Sequence, residues 1–207
     1  MSIHVYRGDL PDGLILGPVV AVDTETMGLN PARDRLCLVQ LSAGDGICHL
    51  VQIPILRPGE IHHAPNLKKL FESPQVLKLF HFARFDLAAL KMYLGITCQP
   101  VYCTKIASKL VRTFTDRHGL KDLCKELLGV ELSKQQQSSD WGAEELTAEQ
   151  QKYAASDVLY LHQLKAKLDP LLAREARTEI AEACYRFLPT RAVLDLAGWE
   201  EPDIFQH

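Results

Sequence analysis

The run Val19-Val20-Ala21-Val22 closes directly on Asp23, and Glu25 follows two residues later. Few local patterns limit a fold more. A short continuous apolar run rich in valine reads as a buried strand. Side chains alternate along a strand, so residues i and i+2 point the same way. Asp23 and Glu25 should therefore project from one face, at a sheet edge. Two like charges placed so close raise each other's pKa unless a cation lies between them. A hard divalent cation with oxygen ligands is the natural partner. Asp-x-Glu alone is nevertheless short and common, and a solvated acidic pair at a strand end explains it equally simply.

The segments that follow place this strand in a sheet. Leu36 to Leu41 and Ile47 to Ile53 are β-prone runs on either side of Ala43-Gly44-Asp45-Gly46, a hairpin signal. The first three strands thus read as an antiparallel meander. Residues 54–65 hold three prolines and a glycine and read as a loop, after which Asn66 is expected to cap a short helix ending near Pro74. A fourth strand is predicted over 76–81, running into a helix from about 85 to 94 that Gly95 stops. Further helices are predicted over about 104–112 and 119–128. Thr147-Ala148-Glu149-Gln150 is a capping box that opens a long helix to about Leu168. Pro170 should break it, leaving a last helix over 171–186 and an irregular tail. Strands early and helices late indicate an α/β fold with a mixed sheet.

Two more acidic positions join the first pair. Asp86 falls in the first turn of the helix after the fourth strand, within Phe80-His81-Phe82-Ala83-Arg84-Phe85-Asp86. An acid there is also favoured simply by the helix dipole. Tyr153 and Asp157 stand at i and i+4 on the long helix and so share a face. Each pattern by itself is unremarkable. Together they form an ordered set: Asp-x-Glu on a strand, Asp at a helix start, Tyr-x3-Asp on a helix. Four carboxylates around one cleft suit two Mg²⁺ or Mn²⁺ ions about 4 Å apart, the arrangement that clamps an in-line phosphodiester displacement. The phenol of Tyr153 would orient or deprotonate the attacking water.

Composition narrows the field. At 207 residues the chain suits one sizeable domain. No apolar run reaches the roughly 20 residues that span a bilayer, and Met1 to Arg7 lacks the pattern of a secretory signal. Cys37, Cys48, Cys98, Cys103, Cys124 and Cys184 form no CxxC pair, so they read as reduced thiols of a cytoplasmic protein. A net charge of −3 argues against tight non-specific binding of long duplexes by one chain.

The three motifs, with Val22 to Leu29 as the first, His81 to Asp86 as the second and Tyr153 to Asp157 as the third, resemble the ribonuclease D-like branch of the DEDD exonucleases, the branch with tyrosine in its third motif. Ser138-Ser139-Asp140-Trp141 is similar too. The segments Thr104 to Leu110, Thr115 to Lys121, Lys134 to Trp141 and Phe187 to Trp199 look like the small bacterial nanoRNase C group within that branch. The resemblance implies a ribonuclease H-like mixed sheet with flanking helices. It implies one 3′→5′ exonuclease domain over 1–207, with its motif-bearing core at about 19–168 and a C-terminal helix and tail at 171–207. Asp23, Glu25, Asp86, Asp157 and Tyr153 would be catalytic, the four carboxylates holding two Mg²⁺ or Mn²⁺. Very short RNAs, dinucleotides above all, would be the substrates, with DNA a further one, and the chain would form a homo-oligomer, a ring-like octamer. Two departures are visible: Phe82 and Cys103 stand where many relatives carry Asn and Asp. A catalytically silent nucleic-acid-binding module and a polymerase-associated proofreading subunit are the competing readings. Retention of all four carboxylates speaks against the first, and nothing in the chain identifies a polymerase docking site for the second.

Substrate contacts are expected from Thr26, Met27, Gly28, Leu29, His81, Lys134, Gln136, Ser138 and Ser139. By the same resemblance Leu29 would wedge between the two terminal bases, where an apolar side chain replaces stacking; a loop leucine covering the core is the other reading. His81 is equally readable as a neutral core histidine. Lys105, Lys109, Arg112, Arg117, Lys121, Lys125 and Lys134 make residues 101–134 locally basic, either for phosphate contact or as a charged helix surface. Trp141 is expected to be packed in the fold, not stacked on a base.

Overall fold

A computed structural model describes residues 1–57, 60, 62–133, 135–136 and 138–206. Its centre is a six-stranded mixed sheet in the order β1-β4-β3-β2-β5-β6. The strands are β1 (Ser2–Arg7), β2 (Val19–Thr26), β3 (Leu36–Ser42), β4 (Ile47–Gln52), β5 (Leu77–Phe80) and β6 (Val101–Cys103). β2, β3 and β4 form the expected antiparallel meander, turned by Gly44 and Gly46, both with positive φ. β3 is buried along its whole length. β5 and β6 add in parallel on one side, and β1 adds in parallel to β4 at the other edge.

The helices are α1 (Pro65–Glu72), α2 (Ala83–Leu94), α3 (Thr104–Val111), α4 (Leu120–Leu123, continued by a π-helical turn over Cys124–Leu128), α5 (Ala148–Leu159), α6 (Leu161–Arg174) and α7 (Thr178–Leu196). α5 lies against β2, β3 and β4, while α7 packs on α2 and α6 on α3. Gly95 ends α2 in a left-handed conformation, as the sequence predicts, and the capping box of Thr147 and Gln150 is present at the start of α5.

Several expectations are corrected. β1 and β6 were not anticipated: one is an edge strand and the other three residues long, so neither carries a clear period. Asn66 does not cap α1. Asp9, 57 residues earlier, accepts the Asn66 N–H at 2.8 Å, and its other oxygen accepts the Leu67 N–H at 2.8 Å. The Asn66 side chain instead ties down the Leu10 carbonyl and Asp12. The long helix breaks at Tyr160, not at Pro170, which lies inside α6. Buried Leu161, Leu164, Leu168 and Leu172 hold α6 together on both sides of that proline, offsetting the missing N–H and the clash it brings. α7 likewise runs through Pro189 to Leu196, so much of the expected irregular tail is helix. β2 is an interior strand, so Asp23 and Glu25 do not sit at a sheet edge.

Candidate active site

The position of the acids follows from unequal pairing of β2. β3 accompanies it to Thr26, but β5 pairs only with Val19, Val20 and Ala21. Asp23 and Glu25 therefore stand beyond the end of β5, on an interior strand that has lost one neighbour. The chain leaves β5, turns through Phe82 with φ 72°, and starts α2 there. That turn delivers Asp86 to the same place. Thr24, whose side chain alternates away from those of Asp23 and Glu25, donates its hydroxyl to Asp86 Oδ1 at 2.7 Å. α5 brings Asp157 from across the sheet, with Tyr153 one turn before it.

Asp23, Glu25 and Asp157 each offer a carboxylate oxygen within 4.8 Å of the others. Asp86 stands outside that trio but within its field. Burial raises the Asp23 carboxyl well above its usual range, and Asp86, Asp157 and Glu25 raise it further. Glu25 is pushed up to about 9 by burial and by Asp157 and Asp86. Burial raises Asp86 to about 7 against the lowering effect of the Thr24 hydroxyl, and raises Asp157 to about 7. Among the described residues, no lysine or arginine pairs with any of the four. Among the described residues the side-chain donor to Asp23 is the neutral Gln40 amide, at 3.4 Å. An oxygen-only donor set, withdrawn from water and short of positive charge, fits a hard divalent cation.

Beside the acids opens a cleft of about 460 Å³, lined by residues 24–29, Phe85, Ser138, Ser139 and Trp141. Thr26, Met27, Gly28, Leu29, Ser138 and Ser139, expected as substrate contacts, thus line one cleft. Leu29 is 87% exposed, which removes the reading of a leucine covering the core. Trp141 is buried, as expected, and its ring lies 5.9 Å from that of Tyr153. Phe85 and Thr24 belong to the site but were not singled out; their one local signal is adjacency to Asp86 and Asp23.

Other expected contacts are not brought to the cleft. His81 Nδ1 pairs with Thr104 Oγ1 at 2.9 Å, and burial together with Lys105 lowers the ring to about 3, so it is neutral. Gln136 is not among the cleft residues; its carbonyl accepts the Ser139 N–H. Lys134 lies outside the described residues. In the basic segment, Arg112 is buried and bonds Ser108, the Arg117 carbonyl and Glu126, while Lys125 pairs with Glu131 at 2.8 Å. Those two cations are structural. Lys105 rests over the Phe82 ring, 4.1 Å from its centre.

Comparison with known proteins agrees with this geometry. Residues 13–173 match the family model described as a 3′-5′ exonuclease. Ribonuclease D of Gluconacetobacter diazotrophicus is 36% identical over 162 residues, an alignment covering 78% of this chain and 40% of that protein. The chain thus spans less than half the length of that curated relative. Among solved structures, Brucella melitensis NrnC with bound Mg²⁺ is similar at 57% identity and a TM-score of 0.93, all of both chains being covered. The same protein bound to pGG is similar at 58% identity and a TM-score of 0.94, covering 100% of this chain and 99% of that one.

Proposed function

The chain belongs to the 3′→5′ exonuclease family, of the ribonuclease D type, and on that premise we propose that it hydrolyses very short RNAs, dinucleotides above all, to nucleoside 5′-monophosphates. The observation that carries the proposal is the trio of half-buried carboxylates Asp23, Glu25 and Asp157, with buried Asp86 in its field and Glu25 lining the cleft. Asp23, Glu25, Asp86 and Asp157 would hold two divalent cations, Mg²⁺ or Mn²⁺. When bound, the cations supply Lewis acidity at the scissile phosphate and a more acidic water.

The remaining work falls to the chain. Burial and the neighbouring Asp157, Glu25 and Asp23 raise the Tyr153 phenol above its usual range. Its hydroxyl would orient the attacking water or take a proton from it. Attack on phosphorus breaks the bond to the 3′ oxygen of the preceding nucleotide. Leu29, fully out in the cleft, supplies the wedge between the two bases. Ser138 and Ser139 offer hydroxyls to phosphate or ribose, and the backbone of Thr26, Met27 and Gly28 approaches the 3′ nucleotide. Similarity to NrnC bound to pGG supports a short substrate. A ring of several copies would suit a chain with net charge −3, because neighbouring basic segments could line a shared path.

The test is kinetic. With Mn²⁺ present, a dinucleotide should be cleaved faster than a longer single-stranded RNA. Tyr153→Phe should slow kcat on the order of 10²-fold while leaving metal affinity intact. A dinucleotide cleaved no faster than the longer RNA ends the short-substrate reading, and a fully active Tyr153→Phe ends the role given to the phenol. A DNA dinucleotide run alongside separates sugar preference, and light scattering on a sizing column reads the oligomer.

A further inference from the structure

Gln150 does more than the capping box requires. Its side-chain oxygen accepts the Thr147 N–H at 2.9 Å, and its backbone N–H reaches Thr147 Oγ1 at 3.2 Å. A capping box needs only that acceptor, and glutamate supplies it as well as glutamine. What glutamate lacks is the amide N–H₂. Here Gln150 Nε2 donates to Ser139 Oγ at 2.8 Å and to the Asp140 carbonyl at 2.9 Å. The side chain is 4% exposed, so both donors need those partners.

The two bonds cross from α5 to the wall of the cleft. Gln150 precedes Tyr153 by three residues and Asp157 by seven, which puts all three on one face of the helix. The segment it grips carries Ser139 and Trp141, and the Trp141 ring packs against Tyr153. On the far side, Arg35 donates to the Gly142 carbonyl at 3.3 Å. A Cβ at Gly142 would come within 2.6 Å of Met27 Sδ, so this segment also abuts the loop that follows β2. A shift of residues 139–142 would change both the gap facing Met27 and the packing on Tyr153.

We propose that Gln150 is a positioning residue: through its amide N–H₂ it holds the cleft wall at Ser139–Trp141 in register with the helix that carries Tyr153 and Asp157. The proposal rests on the exonuclease reading above, and it places Gln150 in no contact with substrate.

Three variants separate strap from cap, with dinucleotide kinetics and thermal unfolding measured on each. Gln150→Glu keeps the cap, loses both donors and adds a charge. Gln150→Met loses the donors and the cap acceptor but stays neutral. Thr147→Ala weakens the cap and leaves the donors in place. The strap requires KM to rise about tenfold in both Gln150 variants, the equivalent of about 1.4 kcal/mol. It also requires KM to stay within about twofold of wild type in Thr147→Ala, which should instead lose several degrees of Tm. A KM rise in Gln150→Glu without one in Gln150→Met marks charge repulsion and overturns the proposal. So does a Thr147→Ala variant whose KM rises as much as theirs. Should Gln150→Glu fail to fold, Gln150→Met decides against Thr147→Ala; should Gln150→Met fail, the neutral Gln150→Leu takes its place. An inactive wild type would instead sink the exonuclease reading itself.

Discussion

Asp195 and the acids of the candidate site are all drawn back from bulk water, and they differ in what meets them. Asp195, near the end of α7, has a side chain only 6% exposed. Arg84 grips it through two bonds of 2.6 and 2.8 Å, and Arg191 adds a third at 2.8 Å. The acids of the candidate site have no such partner among the described residues; burial raises all four, and repulsion adds to it at Asp23, Glu25 and Asp86. α2 takes part in both, with Arg84 locking α7 and Asp86, two residues on, joining the acids. A buried carboxylate met by guanidinium is a structural joint. A cluster left without a cation carries a standing cost, which binding of a divalent ion would remove.

That contrast is most open to attack at Asp23. Asp23→Asn should cut hydrolysis on the order of 10³-fold. In the presence of a chelator the same variant should melt above wild type, because the cost of holding that carboxyl beside three other acids is gone. Mg²⁺ should raise the wild-type Tm and move that of the variant far less. A variant that melted lower in chelator, or gained as much from Mg²⁺, would place the cluster with the structural joints.

The opposite sign is expected at Asp195. Asp195→Ala takes from Arg84 and from the Arg191 side chain, only 8% exposed, the acid they share, and leaves Arg191 with Asp203 alone at 3.2 Å. Loss of one partner of a buried pair should cost about 3 kcal/mol in urea unfolding. Mg²⁺ should stabilise this variant as much as it stabilises wild type. An Asp195→Ala protein as stable as wild type would show that α7 is held by packing alone.

A smaller, pH-dependent effect sharpens the comparison from the side of a buried cation. Among the described residues Lys78 in β5 has no carboxylate partner; its ammonium donates to the Ser73 and Gln99 carbonyls at 2.9 and 2.6 Å. Burial lowers it from 10.5 to about 8. Between those two values the unfolded chain holds a proton that the folded chain has released, so stability rises with pH across that window. Below about 8 both states are protonated and the contribution is flat. Subtracting Lys78→Met unfolding curves from those of wild type should reveal this rise, and a Cys98→Ala background removes the one buried thiol that Lys78 itself influences. A difference independent of pH would mean that the two carbonyls fully replace the lost water.

What local pattern can encode was legible. The apolar run ending in Asp23 and Glu25, the glycine turn between β3 and β4, the Gly95 stop and the Thr147–Gln150 box all depend on neighbours within a few residues. So does the sharing of one helix face by Tyr153 and Asp157. Those features carried the α/β fold and the five residues of the candidate site. Tertiary structure decided what spans the chain. Asp9 caps α1 across 57 residues, Arg84 finds Asp195 across 111, and β1 pairs in parallel with β4. The early end of β5, which exposes the acids on an interior strand, is likewise a matter of pairing. No period records such choices, because a hydrogen bond fixes only its two ends and leaves the residues between them free. Gln150 shows both levels in one side chain. Its oxygen serves the local cap that the sequence announces, and its nitrogen serves a loop that only the folded chain brings within reach.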